Sequence, residues 1–151
     1  MQAGEHDGTA AFKRGDYATA RAAWIEAATV RNSLSAQYSL GLMYLLGKGV
    51  PKDDKQSFDW FLKSAEQGYM IGQTRVGLML ETGLGVIKDE SAASVWFRKA
   101  AEQGHDIAQF RLGALYSAGR GVKQDGGEAF GWFLKAAQQD LVPAQRQLSI
   151  M

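Results

Sequence analysis

Four tryptophans recur at a constant interval and constrain the fold more than any other feature of the chain. Trp24, Trp60, Trp96 and Trp132 follow one another at intervals of 36 residues. A fixed period of about 20 to 50 residues is typical of repeat architectures, in which each unit buries its apolar face only against its neighbours. The spacing therefore predicts a solenoid of stacked units rather than one closed core.

Cutting the chain at this period gives three full units and two partial ones. Residues 36–71, 72–107 and 108–143 are the full units, residues 3–35 a divergent first unit, and residues 144–151 a capping helix. In each full unit, apolar residues at helical spacing give way to Gly-x-Gly-Val and resume after an aspartate. Each unit is predicted to be a helix, a glycine-rich turn and a second helix, within a single domain over residues 1–151.

Recurring small and acidic residues predict where these helices end and how closely they pack. An aspartate opens each second helix and accepts hydrogen bonds from its free N–H groups. A glycine that ends each first helix is expected to adopt a positive φ. A glycine inside a helix costs about 1 kcal/mol relative to Ala, so its recurrence predicts a close helix–helix approach. In chain order, the aspartates are Asp53, Asp89 and Asp125, the turn glycines Gly47, Gly83 and Gly119, and the helix glycines Gly41, Gly77 and Gly113.

The four tryptophans could be structural, or they could stack on sugars or bases. Each lies on a predicted second helix among alanines and other apolar residues at core spacing. This setting favours burial, so we expect the tryptophans to fix the phase of the helix packing.

Composition excludes several classes of site. There is no cysteine, and His6 and His105 are the two histidines, which excludes disulfides, thiolate zinc sites, cysteine nucleophiles and multi-histidine metal sites. Net charge is +1 from 17 basic and 16 acidic residues, which gives no electrostatic case for nucleic acid. No stretch approaches the roughly 20 apolar residues that span a bilayer. We expect no metal, no cofactor, no nucleic-acid partner and no membrane insertion.

The residues also argue against an enzyme. Acidic pairs such as Asp53-Asp54 and Asp89-Glu90 recur at equivalent positions, whereas a catalytic carboxylate pair needs two distinct environments. The serines have no positioned base, because His105 stands alone at a predicted helix end. We therefore expect a non-enzymatic protein.

The first ten residues, MQAGEHDGTA, lack the basic and apolar regions of a signal peptide. They are small and polar, like the mature end that remains after signal cleavage. This favours a periplasmic or secreted location, with the cytoplasm as the alternative.

The full units resemble the Sel-one-like repeat family, 36-residue relatives of tetratricopeptide repeats. The matching pattern over residues 36–143 is Ala-(x)3-Leu-Gly-(x)2-Tyr-(x)2-Gly-x-Gly-Val-(x)2-Asp, followed by Trp and Lys-Ala-Ala-Glu-Gln-Gly. Departures from it are Gly72, Leu80, Gln138 and Asp140. The resemblance implies an all-α, right-handed superhelical solenoid of antiparallel helix pairs. It also implies an adaptor or scaffold for protein complexes, common in bacterial envelopes and host interaction.

The resemblance further implies that the first helices line a concave face that binds a protein or peptide. The positions carried over form three rows: Tyr38, Thr74 and Phe110; Leu42, Leu78 and Ala114; and Leu45, Glu81 and Ser117, with Leu46 beside Leu45. Alternatively, these residues seal neighbouring helices. On the adjacent stripe, Arg75 and Arg111 could clamp a carboxylate, or could serve in ion pairing or solvation.

The alternative is a protein of a different functional class, either an envelope-associated enzyme or a cell-wall glycan-binding protein. The sequence leaves the partner and the oligomeric state open.

Overall fold

The computed structural model describes residues 4–151, with side chains from residue 8 onward; residue 3, where the divergent unit was predicted to begin, lies outside this range. Over the described range the chain is helical and contains no strand. The helices, in chain order, are α1 Gly4–Lys13, α2 Tyr17–Val30, α3 Leu34–Leu46, α4 Asp54–Glu66, α5 Met70–Thr82, α6 Glu90–Glu102, α7 Asp106–Ala118, α8 Gly126–Ala137 and α9 Val142–Ile150.

Each helix packs against the helix before it and the helix after it, so the pairs stack as a solenoid. Three equivalent turns join α3 to α4, α5 to α6 and α7 to α8. Each of these turns connects the two helices of one pair. This arrangement confirms the predicted all-α solenoid of helix pairs. The buried residues run along the stack from one pair to the next, as a solenoid requires.

The predicted helix ends are confirmed. The carboxylates of Asp53, Asp89 and Asp125 accept hydrogen bonds from backbone N–H groups three residues on, at 3.0, 2.9 and 3.1 Å. The turn glycines Gly47, Gly83 and Gly119 have φ values of 66°, 76° and 67°. Such backbone angles cost a glycine nothing, whereas a residue with a Cβ is strained there.

The predicted close approach between the helices of a pair is also confirmed. A Cβ placed on Gly41 or Gly77 would lie 2.5 or 2.6 Å from the ring of Phe61 or Phe97. The third unit repeats the contact between Gly113 and a phenylalanine ring at 2.9 Å. The three rings are at most 1% exposed. The glycine–phenylalanine contact is therefore the centre of each helix pair.

The tryptophans play a smaller part than their spacing predicts. Trp24 and Trp132 are buried, but Trp60 and Trp96 are half-buried at the edge of the core. An ammonium group lies near each of the last three rings: Nζ of Lys63, Lys99 and Lys135 is 5.5, 4.4 and 4.6 Å from the centroids of Trp60, Trp96 and Trp132. The phenylalanines, not these tryptophans, form the deepest core.

The first tryptophan is also out of phase with the others. Trp24 follows its N-cap Asp16 by eight positions, as Phe61 follows Asp53, whereas Trp60 follows Asp53 by seven. A Cβ on Gly8 would lie 2.6 Å from the Trp24 ring, which repeats the glycine–phenylalanine contact. The first interval of 36 therefore joins two different structural positions, because the N-caps Asp16 and Asp53 are 37 residues apart and α2, with 14 residues, is one residue longer than α4.

A row of glutamines, which the sequence analysis did not single out, joins each pair to the next. Gln37, Gln73 and Gln109 are buried, and the Nε2 of each donates to a carbonyl near the end of the preceding second helix at 3.2 Å. Their Oε1 atoms accept from Nε2 of a glutamine just after the end of the following second helix, at 2.8 Å in each case. Those donors are Gln67, Gln103 and Gln139. The row satisfies amide and carbonyl groups that burial would otherwise leave unpaired.

Candidate binding face

An apolar cleft opens between α3 and α5, on the first helices of two successive pairs. It has a volume of about 130 Å³ and is lined by Leu45, Phe61, Arg75, Leu78, Met79, Thr82 and Leu84. We call it the α3–α5 cleft. Leu45 comes from α3, Leu78 from α5 and Leu84 from the turn after α5, while the buried Phe61 ring belongs to α4. Three of the sequence-predicted residues, Leu45, Leu78 and Arg75, are thus brought together.

Tyr38 holds Arg75 at one side of this cleft. The Nε of Arg75 donates to the hydroxyl of Tyr38 at 3.3 Å, and its Cζ lies 5.9 Å from the centroid of the Phe61 ring. The Tyr38 ring packs against Phe61 at 5.2 Å and against Tyr69 at 5.4 Å between centroids. Burial, and to a lesser extent Tyr38, raise the pKa of Tyr69. The half-buried guanidinium is therefore fixed by aromatic neighbours.

Two further leucines predicted for the binding face lie on α3 but do not line the cleft. Leu46, which follows Leu45 in the chain, is 58% exposed. Leu42 is half-buried and packs against the core. The apolar surface of α3 is thus wider than the cleft itself.

Thr74 and Glu81 lie at predicted positions but have buried side chains that are engaged inside the protein. The Oγ1 of Thr74 donates to the carbonyl of Met70 at 3.0 Å and lies 2.7 Å from Nδ1 of His105. Burial lowers the pKa of His105, with Asp106 acting in the opposite direction. In this arrangement Thr74 offers no free polar group to a partner.

Glu81 takes part in an ion-pair cluster between α5 and α7. Its carboxylate lies 3.1 Å from Nη2 of Arg120 and 3.8 Å from Nη1 of Arg111. Arg120 also reaches Glu90 at 2.9 Å. Glu81, Arg111 and Arg120 stand where Leu45, Arg75 and Leu84 stand one repeat earlier. The position that is an apolar cleft between α3 and α5 is therefore filled by charged groups between α5 and α7.

The remaining predicted residues lie on α7. Phe110 is half-buried with its ring 5.6 Å from that of Phe133. Ala114 is half-buried, and Ser117 is exposed while its carbonyl accepts from Nε2 of Gln124 at 3.0 Å. These residues continue the face beyond the ion-pair cluster but do not line the α3–α5 cleft.

Several cleft residues were not predicted from the sequence. Thr82, Met79 and Leu84 line the cleft, together with the buried ring of Phe61. Leu84 carried a usable signal. It is an apolar residue in a surface turn where the other repeats have Lys48 and Arg120.

The described residues contain no group of three His, Cys, Asp or Glu side chains placed to hold a metal ion. Between residues 4 and 151, none of the helices has the length and apolar character needed to cross a membrane. On α4, α6 and α8, lysine ammonium groups lie near the rings of Trp60, Trp96 and Trp132.

Comparison with known proteins identifies the repeats. Residues 34–69, 71–105 and 106–141 match the Sel1 repeat. No match was found among proteins of curated function.

The solved structures that are similar to this chain include the following three. One is c5321, described as a protective antigen present in uropathogenic Escherichia coli strains displaying an SLR fold. It has 39% identity to this chain and a TM-score of 0.85, and the match covers 88% of this chain and 28% of that one. A Sel1 repeat protein from Oxalobacter formigenes has 33% identity and a TM-score of 0.82, with 93% and 57% covered. Helicobacter pylori cysteine rich protein B has 24% identity and a TM-score of 0.63, and the match covers 88% of this chain and 98% of that one. This similarity shows the fold alone.

This chain spans less than two thirds of the first two relatives. The likeness confirms the predicted right-handed superhelical solenoid of the Sel1 type. Sel1 repeat proteins are generally non-catalytic scaffolds for protein interactions. With three registered repeats matching over most of its length, the chain belongs to the Sel1 repeat family.

Proposed function

We propose that this chain acts as a single, non-enzymatic repeat domain that binds a peptide segment of a partner protein on the face formed by α3, α5 and α7. The observation that carries the proposal is the α3–α5 cleft, where leucines from two repeats and a turn leave an apolar recess open to solvent. The repeat itself does not require this opening, since the equivalent position between α5 and α7 is filled by ion pairs.

The size of the cleft favours a peptide over a small metabolite. Small-molecule sites usually have volumes of about 300–1,000 Å³. A recess of about 130 Å³ is large enough for one aliphatic side chain and too small for a cofactor. An exposed Leu46 on one side and the half-buried Phe110 further along supply additional apolar surface for a chain that extends along the face. This combination fits an anchored peptide, whose pockets and extended contacts together give specificity.

The proposal is tested with random peptides fused to the C-terminus of a carrier protein and selected on the wild-type chain. We expect Leu78→Asp to weaken the binding of selected peptides by about tenfold or more, because it places a charge in the apolar recess. Leu84→Ser, in a surface turn, should weaken binding as well with little effect on folding. The matched control is Val95→Asp on α6, because Val95 is 54% exposed and does not line the cleft. If all three variants bind the peptides like the wild type, the face is not the binding site.

We further propose a periplasmic or secreted location, with the cytoplasm as the alternative. The E. coli relative is described as a protective antigen, which is consistent with a protein reached from outside the cell. Fractionation of cells that produce the protein from its native gene would decide the matter. Recovery in the cytoplasmic fraction alone would overturn this location.

A further inference from the structure

Arg75 and its equivalent in the next repeat differ in their acidic neighbours, and this difference indicates the chemistry of the ligand. Arg75 and Arg111 occupy the same position of successive first helices. Arg111 has the Glu81 carboxylate at 3.8 Å. The residue that corresponds to Glu81 in the preceding repeat is Leu45, so the repeat retains the cation there and replaces its anion with an apolar side chain.

The replacement leaves Arg75 without a carboxylate. No Asp or Glu oxygen among residues 8–151 lies within 4.0 Å of its guanidinium, whereas Arg111 and Arg120 both have one. Its described hydrogen bond runs from Nε to Tyr38, which leaves both terminal nitrogens to bind elsewhere. A half-buried guanidinium next to an apolar cleft gains from an anionic partner more than an exposed one does, because water screens the charge less.

The guanidinium is also held ready for such a partner. The hydrogen bond to Tyr38 and the position above the Phe61 ring fix its plane before any ligand arrives. A planar guanidinium with two free terminal nitrogens matches a carboxylate through two parallel hydrogen bonds. Prior fixing lowers the entropy that binding costs.

We propose that the α3–α5 cleft binds the C-terminal residue of a polypeptide that ends in an aliphatic side chain and a free carboxylate. The aliphatic group lies between Leu45, Leu78 and Leu84, and the terminal carboxylate binds Arg75. This inference rests on the proposed function and names the kind of partner that the same site accepts.

The short distance between the two features favours a chain end over an internal acidic residue. Leucines and Arg75 line one recess that has room for about one side chain. In an extended peptide, neighbouring side chains point to opposite faces, so an aliphatic residue and an adjacent acid cannot both enter. At a C-terminus, the side chain and the carboxylate are attached to the same Cα and can enter together.

Synthetic peptides test the inference directly. The probes are acetyl-Ala-Ala-Leu with a free carboxylate, the same peptide as a C-terminal amide, and acetyl-Ala-Ala-Ala with a free carboxylate, titrated into isotope-labelled protein and followed by NMR. Because the amide loses the charge-assisted hydrogen bonds to Arg75, we expect it to bind about 10- to 100-fold more weakly than the acid. The alanine acid should also bind more weakly than the leucine acid, because it leaves the recess unfilled.

Two variants assign the effect to the cleft. Leu45→Glu/Leu84→Arg copies the charged residues of the α5–α7 junction into the α3–α5 junction, where the fold already tolerates them one repeat later, and should abolish binding of the leucine acid. Arg75→Gln should bring the affinities of the acid and the amide together while the protein remains folded by circular dichroism. Equal binding of acid and amide by the wild type, or an unchanged preference in Arg75→Gln, would overturn the inference.

The outcome separates this inference from the proposed function. If selected peptides still bind the face but bind equally well as acids and as amides, the terminal-carboxylate assignment is wrong and the peptide-binding proposal stands. If no peptide of either kind changes the spectra of the cleft residues, both are wrong.

Discussion

Phe97→Ala is expected to lower the free energy of unfolding by about 3–5 kcal/mol, as truncation of a buried aromatic residue usually does. The Phe97 side chain is 0% exposed and packs directly on Gly77 of the paired helix. The missing ring leaves a void that the neighbouring helix cannot fill, because the position opposite has no side chain. Urea denaturation followed by circular dichroism measures the loss.

The matched control is the adjacent Trp96→Ala. Trp96 is half-buried and has a lysine ammonium near its ring, so its loss removes less apolar contact. We expect a cost of about 1–2 kcal/mol, in line with partial burial of a large side chain. A cost for Trp96→Ala equal to or greater than that of Phe97→Ala would show that the regularly spaced tryptophans, and not the phenylalanines, carry the core.

Gly85→Ala is expected to lower the free energy of unfolding by about 2–5 kcal/mol, the sum of left-handed backbone strain and a steric overlap. Gly85 has a φ of +71°, and a Cβ there would lie 2.2 Å from the backbone oxygen of Asp54 in the preceding repeat. Backbone cannot move aside as the end of a flexible side chain can. The substitution should therefore separate two repeats as well as strain one turn, and urea denaturation again reports the loss.

Gly68→Ala separates these two effects. Gly68 has a φ of +91°, but a Cβ there would meet nothing within 4 Å. We expect only the strain cost of about 1–2 kcal/mol. Equal losses for Gly85→Ala and Gly68→Ala would mean that the overlap with the Asp54 backbone adds no cost to the strain of the turn.

The sequence predicts the helix pairs well because their signals are local. An N-cap aspartate and a turn glycine each act within a few residues, so Asp53 and Gly47 could be placed without knowing what packs against them. The misassignment of Trp24 has a physical origin. Equal spacing in the chain does not guarantee an equal position in the fold when one unit contains an extra residue, as α2 does relative to α4, and counting from the N-cap Asp16 would have placed Trp24 with Phe61.

The candidate site could be predicted less completely, because it depends on partners from different repeats. Glu81 lies on the predicted row, but its burial follows from Arg120, 39 positions later in the chain. Thr74 is likewise occupied by His105, 31 positions away. Leu84 becomes a cleft residue only when the fold brings α3, α4 and α5 together. A periodic pattern shows which positions are equivalent, whereas the side chains at those positions decide which junction is open.

The most direct test of the account is the location of a bound peptide. A peptide selected on the wild-type chain is titrated into isotope-labelled protein, and the backbone and methyl signals that shift are assigned. We predict that the largest changes fall on the α3–α5 cleft, at Leu45, Leu78 and Leu84, with smaller ones along α7. Largest changes on the second helices α4, α6 and α8 would contradict the proposal that the first helices form the binding face.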